Sequence, residues 1–201
     1  MIDKAILLLK EELQSYINFK DASVSVVIDN VGLFETSKGD TLTNSVIITL
    51  VNIEEESTLK NQPALRRPFS DNAIYQIPPV YLNLYVLITC NYTGPDYLLA
   101  LRRLSFIIQF LQSKTSFSAS SSVVGGGIDF TDPDITELRF TMESYTLTFE
   151  QINHLWGSLG GRQMPFAMYK LRLVAITERA VLREVPLIEE IDTIIKKSSS
   201  N

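Results

Sequence analysis

The chain has 201 residues, 45% of them hydrophobic and 20% charged, which fits one globular domain with a sizeable core. A net charge of −5 and a pI of about 5.0 argue against a nucleic-acid-binding surface. One Cys and one His exclude an internal disulfide and a four-ligand zinc site within one chain.

Ile2, Ala5, Ile6, Leu9, Leu13, Tyr16 and Ile17 recur every three or four residues, predicting an amphipathic first helix laid on a sheet. The charge-flanked run at its start is neither a signal peptide nor a membrane span, so a cytoplasmic origin is expected. Residues 23–29 alternate as a strand and stop at the turn-formers Asn30 and Gly32; 35–44 is a polar loop. Residues 46–53 are apolar at both parities, the pattern of a central strand covered on both faces. From 57 to 79, Pro63, Pro68, Pro78 and Pro79 interrupt any element, and a loop of this length is either functional or loose surface. The longest strand signal is 80–92. One parity carries Val80, Leu82, Leu84, Val86, Ile88 and Cys90, and the other Tyr81, Asn83, Tyr85, Leu87 and Thr89.

Gly94 and Pro95 open a second helix. Tyr97, Leu101, Leu104, Ile108 and Leu111 form its stripe, while Leu98, Phe106, Ile107 and Phe110 carry apolar character round the wheel. The stripe reads as core, with a partner-facing surface as the other reading. A Ser/Thr-rich stretch, 113–122, and the run Gly125, Gly126, Gly127 predict a flexible loop. Residues 135–142 read as a strand with Leu138, Phe140 and Met142 inward. Thr148 and Gln151 match a capping box, followed by Ile152, Leu155, Trp156 and Leu159 on one helical face and by Gly160 and Gly161 at the stop. Beyond Pro165, Ala167, Tyr169, Leu171, Leu173 and Ala175 alternate with Lys170 and Arg172 as a strand. Residues 180–201 hold Pro186 and an amphipathic run, 188–197, that fits either helix or strand. The sum is a single α+β domain: a mixed, mostly antiparallel sheet, two long helices and a short one, an irregular loop, and a C-terminal arm. Its expected bounds are 1–178 for the domain and 179–201 for the arm.

Candidate chemistry is sparse. His154 is the only imidazole, but no acid or nucleophile is its sequence neighbour, and a structural His near a helix end is the plainer reading. Cys90 lies on the apolar parity of a strand, where Cys behaves as a small hydrophobe, so a Cys90–His154 nucleophile pair is rejected unless the fold joins them. Asp129, Asp132 and Asp134 offer a weak oxygen-ligand cluster, with a polar turn as the better reading. The glycine run lacks the Lys-Ser/Thr of a phosphate loop. Glu54, Glu55 and Glu56 read as a solvated strand end. Arg66, Arg67, Arg102 and Arg103 are the only obvious seeds of a basic patch, and solvated or ion-paired side chains are the better reading of them. No convergent set is present, and no enzyme, metal or cofactor is expected.

The segment His154-Leu155-Trp156-x-x-Leu159-Gly160-Gly161, then Pro165 and a Tyr169-x-x-Arg172 strand, resembles the tail-terminator (cap) proteins of phage-tail-like extracellular contractile injection systems. The likeness continues, in the same order, in VNIEEE at 51–56, Lys60 with Asn61, PVYLNLYVL at 79–87 and the helix 97–110, covering most of 1–177. Phe166 and Ala167 after Pro165 depart from the small polar residue expected there. The resemblance implies a structural protein without cofactor: a hexameric ring that closes the distal end of inner tube and sheath and ends their polymerisation. It implies the chain itself, the tube protein and the sheath protein as partners, with no nucleic acid and no membrane. It also implies assembly in the cytoplasm and release within an extracellular particle. Interface expectations fall on the irregular segments, at Leu59, Asn61, Leu65, Arg66, Arg67, Phe69 and Tyr75, and on the arm at Ile188, Ile191 and Ile194. The alternatives are a tube or baseplate adaptor of the same machinery, and a small metal-dependent hydrolase using the three aspartates and His154.

Overall fold

The computed structural model describes residues 1–33, 42–59, 65–66, 72–76, 78–92, 94–122, 131–176 and 181–186. Its centre is a six-stranded sheet in the order β1-β2-β5-β8-β7-β6. These strands are β1 (Ser25–Ile28), β2 (Ser45–Glu55), β5 (Val80–Asn91), β6 (Ser116–Ser118), β7 (Arg139–Ser144) and β8 (Phe166–Ile176). β1 and β2 are parallel and the other pairs antiparallel. A smaller sheet, β3-β4-β9, joins Leu65–Arg66, Asn72–Gln76 and Val181–Pro186. The α+β architecture expected from periodicity is therefore the one observed.

The two parities of β5 explain the layering. Leu84, Val86, Ile88 and Cys90 are fully buried beneath α1 (Ile2–Lys20) and α2 (Tyr97–Ser113), together with Leu9, Leu13, Ile17, Ile107 and Phe110. Tyr85 and Leu87 point the other way, into a second cluster with Val31, Ile47, Met168 and Trp156 of α4 (Phe149–Ser158). A strand with helices on both sides reads as a continuous apolar run, which is why 80–92 is the strongest strand signal in the chain.

Several boundaries moved. The proline-rich stretch contains the two short strands β3 and β4, and 181–186 is a strand on β4, with Asn72 opposite Pro186 and Ile74 opposite Glu184. That settles the ambiguous first part of the arm: sheet pairing supplies backbone partners that no local pattern announces. The Ser/Thr-rich stretch is not all loop, since β6 pairs with β7 as an edge strand. Residues 133–136 form the short helix α3, so the strand predicted from 135 begins only at Arg139. A 3₁₀ turn at Gly94–Asp96 precedes α2, which starts two residues after Pro95. β2 is buried on both faces over Val46–Ile48, but β1 runs beside only its first four residues, and Leu50 and Ile53 are exposed.

The largest correction concerns α2. Of the expected core stripe, Leu111 is buried and Leu104 packs half-buried on the core, but Tyr97, Leu101 and Ile108 are exposed, and the buried side is Ala100, Arg103, Ile107, Phe110 and Leu111. Apolar residues cover most of this helix, so periodicity alone cannot choose the buried face. Arg103 can go inside because its charge is met there. Its Nη2 donates to Asp21 Oδ2 at 3.1 Å and to Ser23 Oγ at 3.3 Å, and its guanidinium sits 4.1 Å over the Tyr92 ring.

Candidate assembly surfaces

The segment that carries the sequence likeness is built as follows. Thr148 Oγ1 accepts from the Gln151 amide at 3.3 Å and Gln151 Oε1 accepts from the Thr148 amide at 3.0 Å, closing the predicted capping box. Trp156 is the buried residue of α4, edge-on to Phe166 at 5.5 Å. Leu155 and Leu159 pack partly buried beside it. Gly160 and Gly161 adopt φ of +98° and +80°, and the Gly161 amide closes the helix on Trp156 O at 2.7 Å. The Pro165 carbonyl accepts from the Cys90 amide at 2.9 Å, which seats the start of β8 on β5. Phe166 follows as a half-buried partner of Trp156, so the departure there fills the second cluster.

Tyr169 is buried under the α1–α2 layer, where burial raises its pKa. Arg172 lies on the opposite parity, 3.0 Å from Glu143 and 3.9 Å from Glu56. Glu56 Oε2 accepts from Asn83 Nδ2 at 2.9 Å and Glu56 Oε1 from Thr58 Oγ1 at 2.7 Å. Those two hydrogen bonds, with Arg172 as the charge beside them, hold the Glu56 carboxyl down to about 2. Nearby, the Tyr85 hydroxyl donates to Glu54 at 2.7 Å, and its pKa is pushed up to about 12 by that bond. The acidic strand end is thus an anchored network, which the sequence did not signal. Asn83 and Tyr85 alternate correctly for it, but their partners lie 27 and 31 residues away.

The candidate chemical groups do not converge. His154 is on the solvent side of α4, 3.8 Å from Glu150, whereas Cys90 is buried on the opposite side of the sheet. Burial pushes the Cys90 thiol up to about 12. The pair is not assembled. Asp132 is bound by Lys4; Asp129 lies outside the described residues, as does the glycine run. Among the described residues no group of three His, Cys, Asp or Glu is placed to hold a metal, and no helix is long and apolar enough to cross a membrane.

Of the expected interface positions, Leu59, Leu65, Arg66 and Tyr75 fall on described backbone, in a 3₁₀ turn, β3 and β4. Asn61, Arg67, Phe69, Ile188, Ile191 and Ile194 lie outside the described residues.

The Pvc16 N-terminal domain family matches residues 6–190. The chain belongs to that family. Two solved structures share the fold of this Pvc16 N-terminal domain. One is the sheath/tube terminator of an extracellular contractile injection system, PVC, in the extended state: 14% identity, TM-score 0.66, covering 100% of this chain and 65% of that one. The other is the tube-terminating cap of the anti-feeding prophage: 14% identity, TM-score 0.63, covering 97% of this chain and 61% of that one. The Pvc16 N-terminal domain described here therefore spans somewhat less than two thirds of the length of those terminators. No curated protein matches it.

Proposed function

We propose that the chain is a structural cap of a contractile injection system. Copies of it form a ring, six-fold in the reading favoured here, that closes the distal end of the inner tube and sheath and ends their polymerisation. The observation that carries this is the match of the fold, over essentially the whole chain, to two proteins that terminate such tubes. Membership in the Pvc16 N-terminal domain family points the same way. The physical build suits the role: a sheet covered on both faces makes a stiff body, and a smaller sheet, β3-β4-β9, is formed beside it in the chain.

In this reading Leu59, Asn61, Leu65, Arg66, Arg67, Phe69 and Tyr75 contact a neighbouring subunit or the tube, and Ile188, Ile191 and Ile194 contact the sheath or the next subunit. No cofactor and no catalytic step enter the proposal. The cytoplasm is where the chain would assemble, and an extracellular particle is where it would end.

The test is solution mass followed by imaging. Six copies of the 22.7 kDa chain give about 136 kDa, the closed product of a head-to-tail interface. A ring of that mass that decorates the distal ends of tube–sheath particles is the expected result. Label at the baseplate end instead would overturn the cap in favour of an adaptor.

A further inference from the structure

The acidic end of β2 leaves one anchored carboxylate without a cation. Glu56 and Glu143 both face Arg172, at 3.9 and 3.0 Å. Glu54 has a neutral partner instead. The Tyr85 hydroxyl donates to its Oε2 at 2.7 Å, and among the described residues no cation pairs with it. That bond holds the carboxylate in place, and Oε1 keeps its acceptor capacity.

Glu54 lines a pocket of about 210 Å³ between β2, β5, β8 and α4. Leu147, Leu155 and Met168 give the pocket apolar walls, while Tyr85 and Tyr145 give it aromatic ones. The two tyrosine rings meet edge to face, with centroids 5.0 Å apart. Lys170 Nζ lies 5.4 Å over the Tyr85 ring but makes no ion pair with Glu54. Tyr145, 36% exposed, is the aromatic wall open to a visitor. The volume is below the roughly 300–1,000 Å³ of small-molecule sites, which suits a single side chain. A long basic side chain matches the lining along its length, with methylenes against leucine and methionine and a cation against carboxylate and ring. Arginine fits better than lysine, because its planar fork donates two parallel hydrogen bonds to one carboxylate and stacks on an aromatic face.

We propose that this pocket is a binding site for an alkylguanidinium group, the side chain of an arginine presented by another protein chain. Only the source of the arginine rests on the reading that the chain works within an assembly. The pocket itself needs no hexamer.

Nuclear magnetic resonance on the full chain tests this, with methyl-labelled methionine as the reporter. The Met168 methyl group lines the pocket, whereas Met142 is buried on the other face of the sheet and serves as the internal control. The chain is titrated at low salt with N-acetyl-arginine amide, and separately with N-acetyl-citrulline amide, which has the same shape without the charge. Arginine amide should shift Met168 and leave Met142 still, saturating with a Kd of roughly 1–10 mM. Glu54 is exposed, so Glu54→Gln should keep the fold and weaken binding about tenfold. Tyr145→Ala should weaken it about threefold. Should Glu54→Gln lower the denaturant midpoint, Tyr85→Phe is the second variant. It keeps the ring, frees the carboxylate and should weaken binding about threefold. Shifts that fail to saturate below about 50 mM, that citrulline reproduces, or that both variants leave unchanged would each overturn the site. Tighter binding of N-acetyl-lysine amide would overturn the choice of arginine. A chain that forms the hexamer and does not bind arginine amide refutes the pocket alone. A chain that binds it and labels the baseplate end supports the pocket and counts against the cap.

Discussion

Glu56 shows how a single side chain ties the main sheet together. It is the residue just past β2, accepts from Asn83 of β5 and from Thr58 in the following turn, and faces Arg172 of β8. Its carboxyl titrates near 2 in the folded protein against an ordinary value of 4.5. Because the folded value is depressed, the stabilisation is fully present above about pH 4.5 and disappears as pH falls toward 2. Denaturant midpoints measured from pH 6 down to 2 should fall across that window, and Glu56→Gln should flatten the fall. An unchanged slope in the variant would show that other carboxylates, such as Asp21, dominate. Trp156 makes a second prediction at this scale. It is 4% exposed and packed on Phe166, so Trp156→Ala should cost about 3–5 kcal/mol by chemical denaturation. Trp156→Phe should cost less, because it also removes a buried indole N–H that has no partner among the described residues. The exposed Phe149 at the start of the same helix should tolerate Ala within roughly 0.5 kcal/mol.

At the scale of elements, α4 was the most legible part of the chain and α2 the least. The capping box, the helical face and the two glycines of α4 are local signals, each satisfied by atoms within a few residues, so the sequence could be read directly. Thr148→Ala removes the oxygen that meets the Gln151 amide and should cost about 1 kcal/mol. Gly161→Ala forces a Cβ into φ +80°, which should cost about 1–2 kcal/mol even though the added carbon would meet nothing. Both are measurable as shifts in the denaturant midpoint. In α2 the buried face is chosen by Asp21, Ser23 and Tyr92, contributed by other elements. No period in the helix could say that a stripe containing Arg103 goes inward while one of Tyr and Leu stays out. The stripe read as core is core at Leu104 and Leu111 and exposed at Tyr97, Leu101 and Ile108.

Across the whole molecule, the sheet and its two covering layers make a body that should not need the arm. Removing 187–201 leaves every described strand pairing in place, β4 with β9 included. The truncated chain should unfold with the midpoint of the full chain and fail to assemble by light scattering. A large drop in its midpoint would mean that the arm belongs to the core and does not reach outward.

The sequence by itself determined the α+β class, a long strand at 80–92 and the capped helix at 149–158, because each is encoded by spacing within a short window, and an ordered set of such segments carried the family likeness. Tertiary structure alone decided the face that α2 buries, the pairing of 181–186 with 72–76, and the joining of Glu56, Asn83 and Arg172. These depend on partners tens of residues away, whose desolvation and hydrogen bonding exist only once the sheet has formed.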